Sequence, residues 1–237
     1  MLRIHQGLDG CFWIPRRCKE TEEYLDSRYV RLPNQLKWIN KLPNEIDFFK
    51  NLYENKLGYI VGKGPSLDYL IKEVFKEDCP IIALNESIHK VEQVCTSEHM
   101  FVLQMDKALG STCLPKRAKL FVSPWAADNY KDIEKYVIDP RSLTLDQNAI
   151  SAVVAVMLLR TFGCKAIQLI SFDGCLEQNY EYAKIVGYSS TKGGSPLRFK
   201  SHKEPILQVA KNLNVTWVTP GTHLKFKEHL FVNRSSR

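Results

Sequence analysis

The residues with the clearest chemical meaning form a glycine-rich turn, Gly62-Lys63-Gly64-Pro65-Ser66, directly after the apolar run Leu57–Val61. The run is typical of a buried parallel strand, and Ser66 is a good cap for a helix predicted over Leu67–Phe75. Free backbone N–H groups and a helix dipole converge at such a turn and attract anions. The turn therefore predicts a phosphate site, most simply for a nucleotide. A strand-to-helix turn without a ligand is the alternative.

Polar residues also follow other apolar runs. Asn85 and Asp106 come directly after runs that read as strands, Asp173 follows another such run within three residues, and Gln104 is a candidate beside Asp106. Ligands of open parallel sheets bind outside the carboxyl ends of the strands, so these side chains are expected near the turn. Turn formation or strand-end capping is the alternative role for each of them.

The elements that position these residues alternate along the chain. The predicted strands, in chain order, are Leu57–Val61, Pro80–Leu84, Met100–Met105, Lys119–Val122, Ala166–Ile170 and Val215–Val218. Helices are predicted over Ala149–Phe162, ended by Gly163, and over Glu204–Leu213. This alternation predicts an α/β fold with a Rossmann-like, mostly parallel sheet and helices on both faces.

The residue composition along the chain divides it into two parts. Residues 1–56 carry scattered aromatic and charged residues and are expected to form an N-terminal extension packed on the core, with an apolar helix face at Phe48, Phe49, Leu52 and Tyr53. Residues 57–237 are expected to form one nucleotide-binding catalytic domain. Within it, residues 176–203 are poor in apolar residues and read as a lid over the predicted site.

Composition narrows the function classes. The chain has 237 residues, a net charge of +7 and 7 cysteines, with no pair in CxxC spacing, so neither a zinc site nor a disulfide framework is expected. Apolar runs are too short for a membrane span and the N-terminus lacks a signal sequence, which predicts a cytoplasmic protein, in the host cytoplasm if the chain is viral. The positive charge favours nucleic acid or phosphate-bearing small molecules as partners.

Taken together, these motifs resemble the bacterial sialyltransferases of glycosyltransferase family 42 and the related hydroxymethylpterin pyrophosphokinase-like Rossmann proteins. The resemblance covers about residues 57–220. It rests on the G-x-G-P-S-L motif at Gly62–Leu67, on Ala83-Leu84-Asn85, on the strand that leads to Ser171-Phe172-Asp173, and on Ser201-His202-Lys203. In the sialyltransferases the variable residue of the first motif is commonly Asn, where this chain has Lys63.

The resemblance implies a nucleotide-sugar donor (CMP-, UDP- or GDP-linked) held by the glycine-rich turn and Asn85, without a metal. It implies that His202 is the general base, and Asp173 is a second catalytic candidate that binds donor or acceptor. Lid tyrosines assist the leaving phosphate in the family, and Tyr180, Tyr182 and Tyr188 are the candidates here. Asn148 begins the predicted long helix, where it either meets the nucleotide or caps the helix.

Three functions follow from these residues. The first is a metal-independent glycosyltransferase that acts on an acceptor hydroxyl of a glycan or of a modified base in phage or viral DNA. The second is phosphoryl transfer to a pterin-like small molecule, which requires Mg²⁺ held by acidic residues. The third is a nucleotide- or nucleic-acid-binding module without catalytic activity.

Overall fold

The computed structural model describes residues 5–6, 12–15, 29–31, 45–106, 114–130, 133–138, 150–176, 182–186, 196–220 and 231–235. The chain forms two compact units, Met1–Glu45 and Ile46–Arg237. The first unit contains a three-stranded antiparallel sheet of β1 (His5–Gln6), β2 (Phe12–Pro15) and β3 (Tyr29–Arg31), in that order.

The second unit is built on an eight-stranded sheet. Its strands are β4 (Leu57–Val61), β5 (Ile81–Leu84), β6 (Met100–Gln104), β7 (Lys119–Val122), β8 (Tyr136–Val137), β9 (Ala166–Ile170), β10 (Asn214–Pro220) and β11 (Phe231–Ser235). They lie in the order β11-β10-β9-β4-β5-β6-β7-β8. The pair β10–β11 is antiparallel and every other pair is parallel.

Helices cover both faces of this sheet because alternate strand residues point to opposite sides. Ile60 of β4 belongs to one core, together with α2 (Ser151–Thr161) and α3 (Pro196–Val209). Its neighbours Tyr59 and Val61 belong to the other core, together with α1 (Ile88–Val94). The predicted Rossmann-like α/β fold is therefore confirmed. Among the described helices none is both long enough and apolar enough to span a membrane.

The chain before β4 contributes to the first of these cores. Ile46, Phe49 and Tyr53 are buried in it, whereas Phe48 is 76% exposed and Leu52 57% exposed. Residues Glu45–Phe49 form a 3₁₀-helix, whose period of three places Ile46 and Phe49 on one side. The predicted apolar face that included Phe48 and Leu52 was therefore wrong. The domain boundary at residues 56 and 57 stays a prediction.

The helices after the glycine-rich turn are shorter than the sequence predicted. Instead of one helix over Leu67–Phe75, two 3₁₀-helices form, Pro65–Tyr69 and Lys72–Val74. The backbone between them is extended at Leu70 and Ile71. Leu70 is only 1% exposed, so burial of its side chain in the second core takes precedence over helix continuity.

The two long helices were predicted with unequal success. The apolar helix α2 ends where expected, and Gly163 follows it with a φ of +87°, a conformation that favours glycine. Helix α3 begins at Pro196 and not at Glu204, so Pro205 lies inside it. Proline is common in the first turn of a helix, and this helix begins at the earlier of its two prolines. Residues 196–203 of the predicted lid are consequently helical.

Candidate active site

The glycine-rich turn, here called the elbow (Gly62–Ser66), is joined to the residues that follow β9. The Ser66 hydroxyl donates to Asp173 Oδ2 at 2.8 Å, and the Ser66 backbone N–H donates to the same oxygen at 3.3 Å. The Gly64 N–H donates to the Ser171 carbonyl at 2.8 Å. These donors, which were expected to face a phosphate, therefore bind protein oxygens.

The elbow also differs from a helix N-terminus that attracts anions. Gly64 is the N-cap of the 3₁₀-helix Pro65–Tyr69, Pro65 begins it, and no side chain caps it. Ser66 was predicted to provide that cap, but its hydroxyl is engaged by Asp173. Because this helix has a single short turn, the dipole argument of the sequence analysis does not apply to it.

Glycine is required at the elbow because the residues that follow β9 lie very close to its backbone. A Cβ on Gly64 would lie 2.1 Å from Asp173 Oδ2 and 2.7 Å from the Ser171 carbonyl oxygen. A Cβ on Gly62 would also lie 2.7 Å from that carbonyl oxygen. The two glycines thus let the ends of β4 and β9 meet closely enough for Asp173 to reach Ser66.

Asp173 is a buried carboxyl group, with 5% of its surface exposed. Burial raises its pKa above the model-compound value of 3.8, while the hydrogen bonds from Ser66 act in the opposite direction. The net effect is a carboxyl that retains its proton to a higher pH than an exposed aspartate. Such a group suits proton transfer or neutral hydrogen bonding beside an anionic ligand.

Lys63 forms an ion pair with a buried carboxylate on the next strand-end turn. Its Nζ lies 3.0 Å from Glu86 Oε2, and the side chains are 14% and 2% exposed. The Nζ also lies 4.8 Å from the centroid of the Tyr182 ring, within cation–π range. The cation that the sequence placed at the elbow is therefore balanced by Glu86, which sequence reasoning missed although it directly follows Asn85.

Two residues beside the elbow have unusual backbones and unsatisfied side chains. Asn85 follows β5 with φ +55°, and Ser171 follows β9 with φ +59°. Asn85 Oδ1 and Ser171 Oγ are buried and have no hydrogen-bond partner among the described residues. Strain and unsatisfied polar atoms of this kind concentrate at functional sites. Sequence analysis named Asn85 but passed over Ser171, whose position directly after an apolar strand was the available signal.

The candidates Gln104, at the end of β6, and Asp106, just after it, are joined by a hydrogen bond. Gln104 is fully buried, and its Nε2 donates to the Asp106 backbone carbonyl at 2.6 Å. The Asp106 side chain is exposed. This hydrogen bond closes the turn after β6, which is the strand-end role that the sequence analysis gave as the alternative.

His202 lies on α3, which packs against the 3₁₀-helix Asp173–Leu176. Its side chain is partly buried. The pKa of Cys175 in that turn is raised to about 11. Burial is the main cause of the rise, and the positive charge of Lys203 on α3 acts in the opposite direction. Helix α3 and the elbow thus contact the same turn. Asn148 and Tyr188 lie outside the described residues.

No group of three or more His, Cys, Asp and Glu side chains in the described ranges is arranged to hold a metal ion.

Two solved structures are similar to this chain at low sequence identity. No family model matches the sequence, and no curated protein matches it significantly. A crystal structure of a mammalian sialyltransferase is similar, with 13% identity, a TM-score of 0.46 and coverage of 77% of each chain. A mammalian sialyltransferase in complex with Gal-beta-1-3GalNAc-ortho-nitrophenol is also similar, with 11% identity, a TM-score of 0.40 and coverage of 68% of this chain and 69% of the other.

Proposed function

We propose that this chain is a glycosyltransferase that moves a sugar from a nucleotide-sugar donor to an acceptor hydroxyl. The observation that supports it best is the position of the Asp173–Leu176 turn. The elbow bonds to this turn through Ser66 and Asp173, and α3, which carries His202, packs against it. This arrangement supports a donor subsite and a basic side chain at one edge of the sheet, where parallel α/β folds bind ligands.

The proposed mechanism gives each residue a separate role. His202 accepts the proton of the acceptor hydroxyl, since imidazole is the side chain that titrates nearest neutral pH. Lys63, held by Glu86, and Tyr182 stabilise the leaving nucleotide phosphate. Asp173 and Asn85 bind the donor through hydrogen bonds. No step of this mechanism requires a metal.

Donor binding is the first test. Thermal unfolding is measured with CMP-sialic acid, a UDP-sugar and a GDP-sugar, each at increasing concentration. A ligand present at 100 times its Kd stabilises the folded state by about 2.7 kcal/mol, so one of the three is expected to raise the Tm clearly. The absence of a shift with all three contradicts the proposal.

The role of His202 is tested by His202→Ala. Loss of a positioned general base is expected to lower the transfer rate by about 10²- to 10⁴-fold while the donor still binds. Gln208→Ala is the matched control, because Gln208 is an exposed residue of the same helix. Undiminished transfer in His202→Ala removes the imidazole from the mechanism. A donor that binds without transfer in the unaltered protein favours the non-catalytic module.

The acceptor is sought in two classes. Gal-beta-1-3GalNAc-ortho-nitrophenol represents glycans, and duplex DNA with a hydroxymethylated base represents modified nucleic acid. The net charge of +7 motivates the second class. If DNA is the acceptor, its binding constant is expected to fall steeply with salt, because each phosphate contact releases counterions. DNA that fails to bind even at low salt leaves glycans as the proposed class.

A further inference from the structure

A short segment of the chain is attached to the elbow, and we call it the docked segment (residues 182–186). Its Tyr182 ring lies over Lys63 Nζ at 4.8 Å, and its Ala183 N–H donates to the Lys63 carbonyl at 2.9 Å. Ala183 is 3% exposed and belongs to the second core. Both the backbone and the side chain of Lys63 therefore contact this segment.

Asp68, three residues after Pro65, makes two further hydrogen bonds with this segment. Asp68 Oδ2 accepts the Lys184 N–H at 2.8 Å, and Oδ1 accepts the Ile185 N–H at 3.1 Å. Lys184 and Ile185 begin the 3₁₀-helix Lys184–Val186, and the first N–H groups of a helix have no partner within it. Asp68 thus caps that helix from a position 116 residues earlier in the chain.

Both carboxylate oxygens of Asp68 are used to bind the docked segment. Asp68 lies in the first turn of its own 3₁₀-helix, yet no side chain caps that helix. Its carboxylate is directed to the docked segment, and hydrogen bonds to an ionised acceptor are about twice as strong as neutral ones. Removing it leaves two N–H groups without their acceptor, while the core contacts of Ala183 and Ile185 remain.

We infer that Asp68 is a positioning residue that holds Tyr182 over Lys63 by capping the docked segment, and so shapes the donor subsite. The ligand part of this inference rests on the proposed function. The structural part does not, because it concerns the protein without ligand. The two parts are therefore tested separately.

The structural part is tested by amide hydrogen exchange and by ¹⁹F NMR of protein labelled with fluorotyrosine. In Asp68→Ala the Lys184 and Ile185 amides are expected to exchange about 10- to 100-fold faster, since a hydrogen bond to a charged group is lost. The Tyr182 resonance, assigned with Tyr182→Phe, is expected to move. Asp68→Asn, which keeps one acceptor oxygen, should show a smaller change in both. Glu73→Ala, at an exposed neighbouring residue, is the control that should show neither. Unchanged exchange and an unmoved Tyr182 resonance in Asp68→Ala overturn the inference.

The ligand part is tested by a double-mutant cycle on the Kd of CMP, UDP and GDP, each titrated in turn. If Asp68 acts through Tyr182, Asp68→Ala and Tyr182→Ala weaken binding and the double variant is no weaker than Tyr182→Ala. Fully additive losses, or tight binding retained in Asp68→Ala, overturn the positioning role in binding. If none of the three nucleotides binds the unaltered protein, the proposed donor is wrong. The exchange and NMR results still decide whether Asp68 holds Tyr182.

Discussion

The aromatic cluster around Phe49 and the elbow around Ser66 lie in the same unit but differ in construction. The Phe49 ring packs against Phe101, Phe121, Tyr136 and Phe162 at centroid distances between 5.1 and 5.7 Å, in edge-on or tilted orientations. These are the favourable geometries of aromatic pairs. The elbow instead buries the carboxyl groups of Glu86 and Asp173. The aromatic cluster contributes stability through apolar packing, whereas the elbow buries carboxyl groups, which costs free energy unless they are paired.

Backbone conformation draws the same contrast. Within the described part of the chain, five non-glycine residues have positive φ: Asn51, Asn55, Asp78, Asn85 and Ser171. The first three are exposed turn residues of the types that tolerate this conformation. Ser171 is 1% exposed and is neither Asn nor Asp, so its conformation is held by its surroundings. The strained backbone that is buried thus lies beside the elbow, where Asn85 is also partly covered.

The largest effect is expected in the aromatic cluster. Phe49→Ala removes a ring that is 5% exposed and should lower the free energy of unfolding by about 3–5 kcal/mol in urea denaturation. Phe48→Ala is a matched control, because Phe48 is 76% exposed and its loss should change stability by at most about 0.5 kcal/mol. Equal losses in the two variants contradict the 3₁₀ arrangement of this segment.

A smaller effect on stability is expected at the elbow. Gly64→Ala places a methyl group against Asp173 Oδ2 and the Ser171 carbonyl, and should cost about 1–3 kcal/mol of unfolding free energy. Nucleotide binding should fall as well, because Asp173 is displaced. Gly58→Ala provides the comparison, since its added Cβ meets the end of the Leu159 side chain. Gly58→Ala should lose stability and keep nucleotide binding. If Gly58→Ala loses nucleotide binding and Gly64→Ala keeps it, the elbow does not contribute to nucleotide binding.

The smallest effect concerns pH. Because burial raises the pKa of Asp173 above 3.8, the folded state binds its proton more tightly than the unfolded state does. Its contribution to stability is therefore full below pH 3.8 and is lost as pH rises through the folded-state pKa. Asp173→Asn, which still accepts from Ser66, should lack this decline when unfolding is measured across the acid range. A wild-type stability that increases more steeply with pH than that of Asp173→Asn contradicts the raised pKa.

The sequence was sufficient for the parallel strands that consist of apolar runs. Buried parallel strands are continuous apolar runs, so β4, β7 and β9 were predicted to the residue. The two-residue strand β8 and the polar strand β11 were missed because neither carries an apolar run. Helix α1 was missed as well, since seven residues are too few for a clear helical period.

The candidate site was predictable only in its local parts. Gly62–Ser66, Asn85 and Asp173 carry a signal in their own neighbourhood, because they follow apolar strands. Glu86 and Asp68 do not, since their roles come from partners 23 and 116 residues away. The prediction of free N–H groups at the elbow was wrong for the same reason, because the sequence does not show that Asp173 accepts hydrogen bonds from Ser66.

The pairing of β4 with β9 has a consequence for how the molecule folds. Ser66 and Asp173 are separated by 107 residues, so their bond forms only after the chain between them has closed a long loop. Contacts between residues so far apart in sequence form slowly, because the chain loses the entropy of loop closure before the contact stabilises it. The contact between the elbow and the Asp173 turn should therefore form among the last parts of the protein during refolding, after the local strand pairs from β5 to β7.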